Sequence, residues 1–158
     1  MEHKFERKWE ETAVTEDAAF AVARWAAFCL LLWLSAEDIK HREVSIRLLS
    51  ALLAGSTAIL PFRMAREGAG ALIGVLPGVI LLLAAYALPT QLGKGDGAVC
   101  TALGLLLSWE RLWLSLSAAF LCAAFVSALL FLCKKAGRKT KLPFIPFLCA
   151  GYLLALRY

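Results

Sequence analysis

Charge is scarce in this sequence. Lys, Arg, Asp and Glu make up 18% of its 158 residues, while 61% are hydrophobic and the mean hydropathy is +0.72. Soluble domains carry about 25% charged and roughly 45–50% apolar residues, so the composition excludes an ordinary water-soluble fold and points to a membrane protein. Histidine is scarcer still: His3 and His41 are the only two. That shortage argues against a zinc centre, and no Ser or Cys within an apolar run has an evident base, which argues against a Ser- or Cys-based nucleophile. The five cysteines, Cys29, Cys100, Cys122, Cys133 and Cys149, form no CxxC and lie in or at the ends of apolar runs. They read as small buried hydrophobes, not as metal ligands or a disulfide frame. A cleavable signal peptide is not evident either, because the first apolar run starts only at about Ala18 and ends in no small-residue cleavage site. No metal and no cofactor are expected.

The charge that is present has a pattern. The formal net charge is +5 with a pI near 9.1, but the basic residues stand in short connections between apolar spans. That is the topogenic arrangement of a multi-pass membrane protein, not a phosphate-binding groove, so no nucleic-acid partner is expected. The organisation reads as a polar N-terminal tail, 1–17, followed by a single membrane-embedded helical domain, 18–158. The tail holds six acidic and three basic residues. The fold class is all-α, a polytopic membrane protein of about six transmembrane helices.

The first span covers about Ala18 to Ser35 with Arg24 snorkelling to the interface, and the second about Ser45 to Phe62, followed by a short loop with Arg63 and Arg66. The third, Gly68 to Pro89, carries Gly70, Gly74 and Gly78 at four-residue spacing, a stripe that predicts close approach of a neighbouring helix. Pro77 predicts a kink within it. A fourth run, Ala98 to Trp109, is short, since about 20 helical residues are needed to cross ~30 Å of hydrocarbon. Leu112 to Cys133 is the fifth span and Leu142 to about Leu156 the sixth, opened by Pro143 and Pro146.

Between the third and fourth runs stands Gly93-Lys94-Gly95-Asp96. Glycine on either side lets the backbone turn and another chain come close. Asp96 is expected near the first turn of the following helix, where the helix dipole favours negative charge. Because the run after it is too short to cross alone, that helix must begin within or near this tetrapeptide, which sets Asp96 below the headgroups. A carboxylate at mid-membrane costs about 2.5–3.5 kcal/mol, which makes it a functional candidate by default. The plainer reading is a loop tip with a solvated Asp.

Alternating loops decide between these readings. Nine Lys or Arg residues lie in the connections around Lys40/Arg42/Arg47, Lys94 and Lys134–Lys141, against Arg63, Arg66 and Arg111 on the opposite side. The positive-inside rule then puts the richer loops in the cytoplasm and both termini outside. Asp38 and Asp96 fall together on the cytoplasmic side. Two neighbouring carboxyl groups hold one proton between them. The ionised member can then activate a water while the protonated member polarises a peptide carbonyl.

With those residues in place the chain resembles the type IV prepilin peptidases, GxGD-type intramembrane aspartyl proteases. Asp38-Ile39-Lys40-His41-Arg42-Glu43-Val44-Ser45 looks like the family's first aspartate motif, and Gly93-Lys94-Gly95-Asp96 matches the second, with Ala102-Leu103-Gly104 following. Pro143-Phe144-Ile145-Pro146-Phe147-Leu148, with Gly151, resembles the proline-rich start of the family's last helix. The resemblance implies that Asp38 and Asp96 are catalytic and that Gly93, Lys94 and Gly95 support the motif. Pro143, Phe144, Pro146 and Phe147 then serve on the substrate side or in packing.

Three departures stand out: Ile145 where the family usually has Gly, and Gly97 and Cys100 after the second aspartate. The cytoplasmic insertion of methylating members is not found, so cleavage without methylation is expected.

The reading is an intramembrane endopeptidase that removes leaders from pilin-like precursors at the cytoplasmic face of the cell membrane. The basic loop Lys134–Lys141 reads as a topology determinant touching anionic lipid rather than as a substrate site. Glu37 and Glu43 are solvated loop residues or attract a basic leader. Two rival classes stand beside this one: a catalytically silent scaffold of a secretion machine, and a small proton-coupled transporter, which would be expected to show inverted repeats.

Overall fold

A computed structural model describes residues 2–41, 44–88, 93–133 and 143–157. Every regular element among them is helical: α1 (Glu2–His41), α2 (Ile46–Glu67), α3 (Gly70–Ile73), α4 (Leu76–Ala87), α5 (Lys94–Leu106), α6 (Trp109–Leu132) and α7 (Ile145–Arg157). The polar 1–17 segment is helical from Glu2 and continuous with the first span. Four stretches are long and apolar enough to cross a membrane: Ala18–Lys40, Ile46–Glu67, Gly70–Ala87 and Trp109–Leu132. The chain is thus an all-α polytopic membrane protein. The remaining two of the six expected spans are α5 and α7, 13 residues each. Each reaches only about 20 Å at 1.5 Å per residue.

Short helices persist here because they are wrapped by long ones. In α5 the residues Gly97, Val99, Cys100, Ala102, Leu103, Gly104 and Leu106 are buried, so both sides of the helix meet protein. In α7, Ile145, Leu148, Cys149, Tyr152 and Ala155 keep one face buried against α1 and α6. The outer surface is apolar: Ile80, Leu83, Leu121, Phe125 and Leu132 all point outward. In water such a surface would aggregate, whereas in a bilayer it matches the solvent. Cys29, Cys122 and Cys133 share that exposed surface, and only Cys100 and Cys149 are buried. Of the five cysteines read as buried hydrophobes, three therefore face outward, where lipid is as apolar as a core.

The third span is broken rather than kinked. Pro77 lacks the N–H that a continuous helix would need, and it sits in the first turn of α4, where that donor is not missed. Gly74 and Val75 make the turn between α3 and α4.

The glycine stripe packs as expected at two of its three positions. A side chain on Gly78 would run into the Thr101 backbone, and one on Gly74 would come within 2.9 Å of the Gly104 carbonyl oxygen. Gly70 faces open space. The third contact in the row is Gly97 of α5, whose missing side chain is replaced by the Leu82 backbone at 2.7 Å. Gly74, Gly78 and Leu82 thus mesh with Gly104, Thr101 and Gly97, one pair per turn of two antiparallel helices.

We expect Gly78→Leu to lower the melting temperature sharply in detergent, since overpacking costs about 1–3 kcal/mol even where side chains can yield, and here the obstacle is backbone. Gly70→Leu should leave it within a degree or two of wild type, as open space demands no shift. Equal melting points for the two variants would show that the helices do not mesh at Gly78.

Candidate active site

Asp38 belongs to the last turn of α1. Its helical face runs Ala27, Leu31, Leu34, Ser35, Asp38, all buried, so the 3.6-residue repeat that seats the core also carries the carboxylate inward. Its side chain is 8% exposed. The N–H of Ile145, at the start of α7, donates a hydrogen bond to the Asp38 carboxylate. Oδ2 of Asp38 and Oε2 of Glu37 are buried with no hydrogen-bond partner among the described residues. Buried polar atoms are rarely left so; among the described residues the one other such side-chain atom is Oγ of Ser115 in α6.

Asp96 comes from the other side. Gly93 is the N-cap of α5 and Asp96 lies in its first turn, where unpaired backbone N–H groups and the helix dipole favour an anion. The Asp96 N–H donates to the Gly93 carbonyl at 3.1 Å. Its carboxylate bends back over the N-cap: Oδ2 would stand 2.9 Å from a Cβ at Gly93. A side chain at position 93 would have to displace the end of the Asp96 side chain, which occupies that space. Asp38 and Asp96 are within electrostatic range of one another. Residues 58 apart in sequence thus come within electrostatic range of one another at the end of the bundle where α1 ends and α5 begins.

The remaining motif residues hold this arrangement in different ways. Lys94 places its ammonium 4.7 Å from the centroid of the exposed Tyr86 ring, extending the α4–α5 row by one more turn. Gly95 is overlain by Val44: a side chain at 95 would collide with the valine methyl Cγ2. Val44 stands within the segment that resembles the first aspartate motif, but nothing local to it marks its contact with Gly95.

The proline-rich segment splits into distinct tasks. Pro143 precedes α7 and Pro146 occupies its first turn, where a missing N–H costs nothing. Phe144 packs at a tilt against Phe120 of α6 with ring centroids 5.1 Å apart, and Phe144 and Phe147 both pack on the core. Ile145 places its side chain in the core and its N–H on Asp38, so the departure from glycine is absorbed by packing without loss of the backbone donor. Gly151 is the crossing point of α7 over α6, since a side chain there would strike the Ser115 carbonyl.

One residue outside every motif fixes the far end of α5. Arg63 is not in a loop; α2 continues to Glu67, and Arg63 is buried within it. Its Nη1 donates to the carbonyls of Gly104 and Leu105 at 3.1 and 2.9 Å, and its Nη2 to Glu67 at 2.6 Å. The last carbonyls of a helix lack intrahelical donors and carry the negative end of its dipole, so a guanidinium is well matched to them. Arg63 therefore pins α5 at one end while Asp96 sits at the other. A cluster of two arginines closing an apolar helix was the only available sequence signal. Among the described residues no group of three or more His, Cys, Asp or Glu stands together as a metal site.

The family model of the type IV leader peptidases matches residues 25–132, which include both aspartates. The chain belongs to that family. It is accordingly a prepilin-peptidase-like membrane protease in general character. No curated protein and no solved structure matches the chain. The family match ends before Pro143, so the relation of the last helix to the site rests on the Ile145–Asp38 hydrogen bond.

Proposed function

We propose that this leader peptidase is an aspartyl endopeptidase in which Asp38 and Asp96 hydrolyse a peptide bond in pilin-like precursors at the cytoplasmic face of the cell membrane. The observation that carries this reading is the convergence of two carboxylates, one on α1 and one on α5, at a single end of the bundle. Within electrostatic range of each other, the two groups hold one proton in this scheme. The ionised carboxylate takes a proton from water as the water oxygen bonds to the scissile carbonyl carbon, and the other carboxyl group gives its proton to the carbonyl oxygen. Collapse of the tetrahedral adduct re-forms the C=O bond, breaks the C–N bond, and returns a proton to the leaving amine. No metal takes part in this scheme.

The site sits at the helix ends, which suits a substrate whose apolar segment lies in the membrane and whose polar leader projects from it. Glu37, with its buried unpartnered oxygen next to Asp38, is well placed to favour a basic leader. Co-expression with pilin-like precursors tests the function directly: the precursor should shorten on a gel with the wild-type chain and stay full length without it. Processing that is unchanged when the chain is omitted would sink the reading.

Orientation is tested separately. In a cysteine-free background, a cysteine at Ala69, in the exposed α2–α3 turn, should react with an impermeant thiol reagent applied to intact cells. A cysteine at Arg138, which lies outside the described residues, should react only after lysis. The reverse labelling would turn the aspartates outward and exclude a cytoplasmic peptidase.

A further inference from the structure

At the end of the bundle away from the aspartates lies a cavity of about 400 Å³, lined by four arginines, Arg24, Arg63, Arg66 and Arg111, with one carboxylate, Glu67. Arg24 precedes Asp38 by fourteen residues of α1, which puts the cavity about 21 Å from that carboxylate along the helix axis. It is thus separate from the catalytic machinery.

Two of its cations are accounted for by the fold. Arg63 is spent on the α5 carbonyls and Glu67, and Arg66 lies over the Phe20 ring at 5.6 Å. Arg24 donates Nε only to the Phe20 carbonyl of its own helix. The guanidinium of Arg111 has no hydrogen bond or ion pair among the described residues. Among the described lining residues, four guanidiniums stand against one carboxylate, Glu67, which is bound to Arg63. Ser108, the N-cap of α6, also lines it and makes no side-chain cap hydrogen bond, so the start of a 24-residue helix, with Glu110 in its first turn, opens at the same place.

Depth identifies the ligand. Trp25, Trp109 and Trp113 are exposed at this end, beside Arg24 and Ser108, and tryptophans gather at the headgroup level of a bilayer. Phe20, Leu106 and Leu107 supply an apolar wall to the same cavity. Guanidiniums and a helix N-terminus at headgroup depth, next to an apolar wall, suit a phosphodiester carried on acyl chains.

We propose that this cavity binds the phosphate headgroup of an anionic phospholipid, on the membrane face opposite the aspartates.

The test uses the full chain purified in detergent and exchanged into mixed micelles, with bound lipid counted by native mass spectrometry. Phosphatidylglycerol should be retained in preference to phosphatidylcholine. Arg111→Gln should lower that retention roughly fivefold, the factor expected for one arginine near a phosphate surface. The basic 134–141 loop is unchanged in the variant and serves as an internal control. Arg24→Gln, read in the same way, decides the matter if Arg111→Gln does not fold. Equal retention of the two lipids would overturn the proposal, as would wild-type retention by a folded variant, which would assign binding to the basic loop. A third arm adds inorganic phosphate without lipid. Protection against thermal unfolding equal to that given by phosphatidylglycerol would make this a free-phosphate site and overturn the lipid assignment.

Discussion

Asp38→Asn and Asp96→Asn are each expected to reduce precursor cleavage by about 10²–10⁴-fold, the range associated with loss of a general acid or base. Asparagine keeps the shape and one carbonyl oxygen of the carboxylate. At position 38 that oxygen can still accept the Ile145 N–H, so the junction of α1 with α7 should survive. What is lost is the capacity to take or give a proton. The double variant should be no slower than the slower single variant, because two groups that act on one water fail together. The measurement is initial cleavage rate on a purified precursor, with circular dichroism and membrane extraction as controls for folding. Rates near wild type for both single variants would remove the aspartyl mechanism and bring forward the scaffold reading. A loss confined to one variant would leave a single-carboxylate site and would separate Asp38 from Asp96 in function.

The two aspartates stand out as candidates in the sequence because their signal is local. Each stands at the edge of an apolar run, and counting runs puts both on one side of the membrane without any knowledge of packing. The start of α5 at Lys94 was legible for a related reason, since the run after Asp96 was too short to stand alone. The contacts that hold α5 in place were not. Arg63 reaches carbonyls more than 40 residues away, and backbone carbonyls leave no trace in a sequence. The same holds for glycine. Gly70, Gly74 and Gly78 are indistinguishable as letters, yet only the last two face α5, because the break at Gly74–Val75 sets α3 apart from α4. On the α5 side, Gly104, which meets Gly74, and Gly97, which meets Leu82, are spaced one heptad apart, but a spacing on its own names no neighbour. Cysteine misleads in the opposite sense, since an apolar run in a membrane does not distinguish its lipid face from its core face.

A second large loss of activity is expected from Gly95→Val, with membrane insertion intact because the apolar spans are untouched. The cause is the chain's own Val44, which fills the space beside Gly95. An added β-branched side chain must push Val44 aside or shift the first turn of α5, and Asp96 is the next residue. Displacing a reacting group by about 1 Å can cost on the order of 10²-fold. Two explanations of the same loss are separable here. If Gly95 is small to make room for Val44, Gly95→Ala should be impaired and the pair Gly95→Ala with Val44→Ala should recover most of the wild-type rate. If Gly95 is small to let a substrate strand approach, shortening Val44 restores nothing. Initial rates of the two singles and the double variant complete the cycle, and a coupling energy near zero would rule out the Val44 contact as the cause. Val44 lies just after the α1 end that carries Asp38. Recovery would therefore mean that the α1–α2 connection and the start of α5 are fitted to each other, and that the separation of the two carboxylates is set by that fit.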